Sequence, residues 1–526
     1  MLQEKENQQG LSHPDIVALI QLNEKLRDNN QQLHDQVQSL KHQLDWFKRQ
    51  VFGSTSEKRL IEVSPDQGNL LAALISTPTP NQQTVPTERI TYERKKLKKN
   101  RLDCVNDSGL RFDDTVEVKE IRMAVPELEG PDADQYNIID EHVTYRLAQR
   151  RSSYMVLKYI QPVIKHKLNT VIITTSAPTP VFEKSIADVS FIVGLMIDKF
   201  LYHQPLHRQH QKLLMNGITL SRTTLTNLTQ RAIALLKPIY DAQLKHILLS
   251  KVLAMDETPT KAGRKHQGKL RQVWYWPILG EDNEIAFHYS PLRARHVIDE
   301  LLKGFQGTLV TDGYGAYDSF VKNHPGVTHA QCWMHNRRNY VYAEDDEPHA
   351  VAQALELIGV LFHHEQCIKD KQLNDHETLK YRSQHCQPIV ESFYQWVDEQ
   401  CQRLELLPQS PFAKALKYSL NHEEKLKVFL SDPDVPMDTG AVERAIRPIP
   451  MGRRNWLFSW TEVGAEQTGI IQSLIQTCRM HNINPTDYLI DVLQRVDIHP
   501  ASAIDELTPR LWKEKYANNF FKSDVD

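Results

Sequence analysis

Lys251-Val252-Leu253-Ala254-Met255-Asp256-Glu257-Thr258-Pro259-Thr260 is the stretch that decides how the chain reads. Val252 to Met255 is an unbroken apolar run, and Pro259 closes it, which is the pattern of a buried strand. Asp256 stands at its end. A carboxylate on a core strand is costly unless a cation meets it. A second stretch has the same shape: Thr308-Leu309-Val310-Thr311-Asp312-Gly313, apolar and β-branched, then Asp. If the two strands are neighbours, both carboxylates meet at one edge of one sheet. Two hard oxygen ligands on rigid strands suit Mg²⁺, which prefers carboxylates, waters and phosphates. Taken alone, each Asp also fits a strand end that opens a turn.

The chain has 526 residues, enough for several domains. Hydrophobic content of 40% and charged content of 25% are those of ordinary soluble protein. A net charge of −3 gives no global basic field, so any contact with nucleic acid must use local patches. The six cysteines, Cys104, Cys332, Cys367, Cys386, Cys401 and Cys478, include no Cys-x-x-Cys pair. That speaks against a disulfide framework and against a zinc ribbon, so no zinc is expected. No apolar run reaches membrane-spanning length and the start lacks a signal-peptide pattern. The expectation is a cytoplasmic protein with no membrane partner.

Residues 12–52 carry a heptad. Leu19, Leu26, Leu33, Leu40 and Phe47 recur every seven residues, and Ile16, Asn23, Asn30, Val37, Leu44 and Val51 form a second stripe. Leu in one stripe and Asn in the other suit a parallel coiled-coil homodimer. A single amphipathic helix packed on its own chain is the plainer alternative. Residues 53–111 read as a linker, with Pro65, Pro78, Pro80 and Pro86. It runs into a basic cluster, Arg94, Lys95, Lys96, Lys98, Lys99 and Arg101, which is either a solvated face or a grip on DNA phosphates. From 112 to 175, Val, Ile, Tyr and Thr alternate with polar residues, as in a small β-rich module without visible chemistry. From 176 to 250 the pattern is helical. One helix should follow Pro205 and stop at Gly217, and Ser221 can cap the next. Helix, glycine turn, helix fits a helix-turn-helix in which Arg222, Thr223, Thr226 and Asn227 face a DNA groove; it also fits an ordinary helical hairpin.

The core begins at 251. After Asp256, Val273–Leu279 and Ile285–Tyr289 flank Gly280-Glu281-Asp282-Asn283 as a hairpin, and Lys261–Lys269 reads as a basic loop. A helix with Val297, Ile298, Leu301 and Leu302 inside leads to the Asp312 strand, and His329 to Trp333 is one more strand. The expectation is an α/β catalytic core with a mixed sheet. Asp on its first strand and Asp on its fourth make the layout of a ribonuclease-H-like fold. The first part of that core spans 251–335. From 336 to 436 the chain is a long all-α insertion, which holds His363, His364 and Cys367 at a helical spacing that could bind metal but lacks a further partner.

The segment Met437-Asp438-Thr439-Gly440-Ala441-Val442-Glu443-Arg444-Ala445-Ile446-Arg447-Pro448, continuing through Gly452-Arg453-Arg454-Asn455-Trp456-Leu457-Phe458, resembles the C-terminal signature of the insertion sequence 66 family of bacterial transposases. Further matches fall in order: Phe52-Gly53 to Glu57-Lys58, Pro205 to Gln209, Asp256 to Pro259, Thr311 to Tyr314, Cys332 to Arg338, Asn484-Pro485 and His499-Pro500 to Leu507. The resemblance covers nearly the whole chain. Two departures stand out. Many members carry paired cysteines between the linker and the helical region, where this chain has only Cys104, so zinc binding does not transfer. Thr439-Gly440 replaces a common Asn-Asn beside the third carboxylate.

The resemblance implies a DDE transposase with Asp256, Asp312 and Glu443 as catalytic triad and metal ligands. The second part of the core is then 437–480, followed by a tail region at 481–526. It implies two Mg²⁺ ions, which Mn²⁺ could replace, with Asp256 bridging both, Asp312 holding one and Glu443 completing the other. Water attacks first, and the freed 3′-hydroxyl then attacks target DNA. Arg337, Arg338, Arg447, Arg453 and Arg454 are candidates to hold phosphate, and each also fits ordinary surface structure. The implied partners are element terminal repeats, target DNA and small accessory proteins of the same element. Spacing proposes a rival to Glu443. Glu347 lies 35 positions after Asp312, a common interval among DDE enzymes, but it precedes Pro348 at a helix start among Glu344, Asp345 and Asp346. Two other functions remain open: a non-catalytic DNA-binding regulator, and a metal-dependent nuclease that cuts without joining.

Overall fold

The computed structural model describes residues 110–525 apart from 132, 151–152, 168–171, 176–177, 184, 267–268 and 460. The coiled coil expected over 12–52 and the basic cluster Arg94–Arg101 lie outside the described residues.

Alternating apolar residues build a small sheet first. Strand β1 is Arg111–Phe112, β2 Glu117–Arg122, β3 Tyr136–Arg150, β4 Ser153–His166 and β5 Ile172–Thr174. β3 and β4 form a long antiparallel hairpin, and β4 pairs on its other side with β2 and β5. Ala148, Met155, Leu157 and Tyr159 bury one face against Val525 from the far end of the chain.

Four helices follow. Asp188 caps Val189–Phe200 by accepting from the Ser190 N–H, and Ser221 caps Arg222–Leu235 by accepting from the Thr224 N–H. Leu206–Met215 and Lys237–Ile247 complete the set. The turn after Met215 needs Gly217, whose φ of +74° suits glycine. The next residues, β6 (Ile218–Thr219), pair with β1.

The central sheet holds β7 (Val252–Met255), β8 (Thr258–His266), β9 (Lys269–Leu279), β10 (Ile285–Ser290), β11 (Gly307–Thr311) and β12 (Val327–Gln331). Its order is β10-β9-β7-β11-β12, with β8 attached to β9. β7, β11 and β12 run parallel, while β8, β9 and β10 are antiparallel to their neighbours. The architecture is mixed α/β. Two sequence expectations are corrected here. Lys261–Lys269 is mostly strand, not loop. Thr258, Thr260 and Ala262 are buried while Lys261 is exposed, a two-residue period hidden by the basic residues. Pro259 is tolerated because at that position β8 pairs with β9 alone. The strand expected at His329–Trp333 ends at Gln331, and Trp333 opens a helix, Trp333–Val341.

The helix Glu462–Met480 lies along β10 and protects that sheet edge. Ile285 and Phe287 donate their backbone N–H groups to Thr477 Oγ1 at 3.1 Å and Ser473 Oγ at 2.8 Å. Between 348 and 430 the described chain is helices and turns around Trp333, Tyr340, Phe393 and Phe412.

Candidate active site

Strand register builds the site. Ala254 is opposite Val310, and Val310 is opposite Ala330. Two positions further on, Asp256, Asp312 and Cys332 stand in a row at the C-terminal ends of three adjacent parallel strands, about 4.8 Å apart along the row. Crevices at such strand ends are where open α/β sheets bind ligands.

Asp256 accepts one hydrogen bond, from the Glu257 N–H at 2.7 Å. Burial pushes its carboxyl up to about 7, and the negative charges of Glu257, Asp312 and Glu443 push the same way. Among the described residues no cation offsets them. Asp312 accepts from the Tyr314 N–H at 2.9 Å, which closes a turn and fixes the carboxylate.

Glu443 arrives from the helix Gly440–Ile446. That helix is pinned to the end of β12: the Thr439 N–H and hydroxyl both donate to Cys332 Sγ at 3.2 Å. Burial pushes the Cys332 thiol up to about 11, so it accepts these bonds as a neutral sulfur. Glu443 Oε2 accepts from Arg338 at 2.9 Å, and Oε1 lies 3.7 Å from His335 Nε2. Glu443 Oε1 and His335 Nδ1 are buried without a hydrogen-bond partner among the described residues. Burial lowers the His335 pKa against the pull of Glu443. Cys332, His335 and Glu443 bring their ligand atoms within 4.8 Å of one another, and Asp256, Asp312 and Glu443 do not form so tight a set.

Glu257, the next residue in the link between β7 and β8, has its own partners. Its side chain is 1% exposed and is held by Arg293 Nε at 2.7 Å and by the Tyr317 hydroxyl at 2.9 Å. Burial and then Asp312 raise its pKa, and Arg293 opposes them. Arg293 in turn lies over the Tyr314 ring at 4.0 Å. Sequence reasoning missed Glu257, Arg293, Tyr317, Cys332 and His335. The Asp256-Glu257 pair was visible, but the partners of Glu257 lie 36 and 60 positions away.

The other candidates scatter. Glu347 is paired with Arg403 at 3.1 Å and precedes the helix Pro348–Asp370. Arg338 is engaged by Glu443, and Arg453 donates to the Pro259 carbonyl at 2.6 Å. Arg337 is half-buried, while Arg447 and Arg454 are exposed. Arg222, Thr223 and Asn227 are exposed on their helix, but Thr226 is half-buried and bonds to the Arg222 carbonyl. His363 contacts Cys367 at 3.6 Å while His364 turns to Tyr381, so these three do not converge.

The sequence profile described as "Transposase IS66 family" matches residues 184–467, more than half of the chain. The chain belongs to the IS66 transposase family. A second profile, the IS66 C-terminal element, matches 473–510, and a third, "Transposase C of IS166 homeodomain", matches 39–104. Two relatives from Sinorhizobium fredii (strain NBRC 101917 / NGR234) are named "Uncharacterized protein y4hP" and "Uncharacterized protein y4qI". The first is 27% identical over 72% of this chain and 72% of its own length. The second is 25% identical over 71% of each. Membership of a transposase family with a homeodomain-like region implies DNA binding, and the family implies use of a divalent metal. The donors here fit such an ion. They are hard carboxylate oxygens, one with its charge uncompensated and one with an oxygen left without a partner. Among the described residues no helix is long and apolar enough to cross a membrane.

Proposed function

We propose that this IS66-family chain is a DDE transposase that cleaves the ends of its element and joins the freed 3′-hydroxyl to target DNA. The observation that carries the reading is the pair of registered carboxylates on adjacent parallel strands, with Glu443 near enough to raise the Asp256 pKa. The strand order supports a ribonuclease-H-like core over 251–335 and 437–480, interrupted by the helical 336–436. Asp256, Asp312 and Glu443 would hold two Mg²⁺ ions, which when bound activate an attacking oxygen and stabilise a leaving one. Around them the protein supplies orientation. The Tyr314 N–H fixes Asp312, Cys332 and Thr439 fix the helix that carries Glu443, and exposed Arg447 and Arg454 can take DNA phosphates. The environment is expected to be the cytoplasm.

The deciding experiment incubates the full chain with the DNA that flanks its gene and with Mg²⁺. Cleavage followed by joining to a second duplex is expected. Cleavage without joining would leave a nuclease, and binding without either would leave a regulator.

The reading also assigns 12–52 to dimerisation, Arg94–Arg101 to sequence-independent affinity and 203–232 to sequence preference. Removing 12–52 should lower the mass measured by light scattering. Neutralising the basic cluster should weaken binding to all DNA alike and flatten its salt dependence. Loss of discrimination between element ends and random DNA in that variant would reverse the two DNA-binding roles.

A further inference from the structure

Leu457 ends the helix Pro448–Trp456 with φ +68° and ψ −51°. The Phe458 N–H donates to the Trp456 carbonyl at 2.8 Å, so this is a γ-turn of the positive-φ kind, which is rare and strained. A β-carbon makes that conformation costly, and glycine would sit there more easily. Burial does not compensate, because Leu457 is 63% exposed.

Strain of this kind persists where the surroundings impose it, and it gathers at functional places. Both flanks of Leu457 are fixed. Trp456 meets Phe200 edge-on at 6.0 Å and His203 at 5.8 Å. Its indole covers Gly452 so closely that a Cβ there would come within 2.0 Å of the ring. Beyond the turn, Ser459 bridges to Ala262 of β8: its N–H donates to the Lys261 carbonyl at 3.0 Å, and its carbonyl accepts from Gly263 at 3.3 Å. Arg453 adds its bond to the Pro259 carbonyl. An apolar side chain is therefore held out from a rigid frame.

The frame also bounds its place. Lys261 is five positions after Asp256, Ser459 lies one strand spacing beyond it, and Leu457 is two residues further, so the path from Asp256 to the tip is at most roughly 29 Å. At about 3.4 Å per nucleotide that is at most about nine steps along a DNA strand. Arg454 and Asn455, in the helical turn just before Leu457, are exposed, and so is Lys261 on the bridged strand. An apolar point on a frame that also exposes cations matches a strand whose backbone is anionic and whose interior is stacked bases.

We propose that Leu457 is a wedge that enters the base stack of the bound DNA end, within about nine nucleotides of the phosphate to be cut. This rests on the reading of the carboxylate edge as the DNA-cleaving site. It makes Leu457 a positioning residue, which opens the duplex so that the scissile strand reaches the carboxylates.

The test places 2-aminopurine, one position at a time, in the terminal base pairs of duplexes made from the DNA that flanks the gene. The full chain is mixed with each. Wild type and Leu457→Phe should brighten one probe position as its base unstacks. Leu457→Ala keeps the strained turn without the side chain, and Leu457→Gly relaxes the turn and removes the side chain. Both should lose the signal and cut at least about tenfold more slowly, and a mismatch at the probe position should restore the rate. If Ala and Gly unstack the probe as wild type does, the wedge is wrong although cleavage stands. If Gly alone differs, and only in thermal stability, the turn is structural and the wedge is again wrong. If wild type neither cuts nor distinguishes these ends, the reading of the site falls and the wedge with it.

Discussion

Glu443→Gln is expected to abolish end cleavage, by at least about 10³-fold, while folding and end binding persist. A carboxylate that helps hold a catalytic metal supports several kcal/mol of transition-state charge stabilisation, and about 1.4 kcal/mol is tenfold in rate. The amide keeps the shape of the side chain and can still accept from Arg338, whose present bond to Glu443 is 2.9 Å. The helix is held through Thr439 and Cys332 rather than through Glu443, so the fold has little to lose. Glu347→Gln is the control. It would weaken a half-exposed pair with Arg403, an effect of about 1 kcal/mol or less on stability, and leave the rate within about tenfold. Single-turnover cleavage of end duplexes, with binding measured separately, separates the two. A dead Glu347→Gln beside an active Glu443→Gln would reassign the third carboxylate.

Mg²⁺ is expected to raise the melting temperature by several degrees at pH 8 and to do little at pH 5. The cause is Asp256, whose carboxyl is pushed from 3.8 up to about 7 in the fold. Between those values the folded chain keeps a proton that the unfolded chain has released. The metal-free fold therefore loses stability as pH rises from about 4 to about 7 and then levels off, by at most roughly 4 kcal/mol. A divalent cation meets the carboxylate only once the proton has left, so its benefit grows through the same window. Asp256→Asn should raise the metal-free melting temperature at pH 8 and cancel the Mg²⁺ response. A variant that melts as wild type does, and is still stabilised by Mg²⁺, would place the metal elsewhere.

The two carboxylate strands were legible because short apolar runs ending in Asp need no tertiary context. Their pairing was only a supposition until Leu253 met Leu309 in register. Strand β8 was hidden because Lys261, Arg264, Lys265 and Lys269 look like a loop, although Thr258, Thr260 and Ala262 carry the buried face. Glu443 lies 131 positions after Asp312, and spacing alone pointed to Glu347. The resemblance singled Glu443 out, with support from the setting of Glu347 before Pro348 among Glu344, Asp345 and Asp346. The reasons for its position are long-range: Cys332 meets Thr439 across 107 positions, and no local pattern announces that contact. The same holds for the bonds that Arg293 and Tyr317 make to Glu257.

The Cys332–Thr439 junction also orders events during synthesis. A ribosome that has released residues up to about 430 has made β7 and β11, with Asp256 and Asp312 ready to pair. It has not yet made Thr439, Glu443 or the helix Glu462–Met480 that covers β10. Since N-terminal parts tend to fold first as they emerge, a nascent or prematurely ended chain can hold two of the three carboxylates without the third. Such a fragment is unable to assemble the full set on a chromosome. On the proposed reading, the capacity to break DNA would be withheld until Glu443 and the helix Glu462–Met480 have docked.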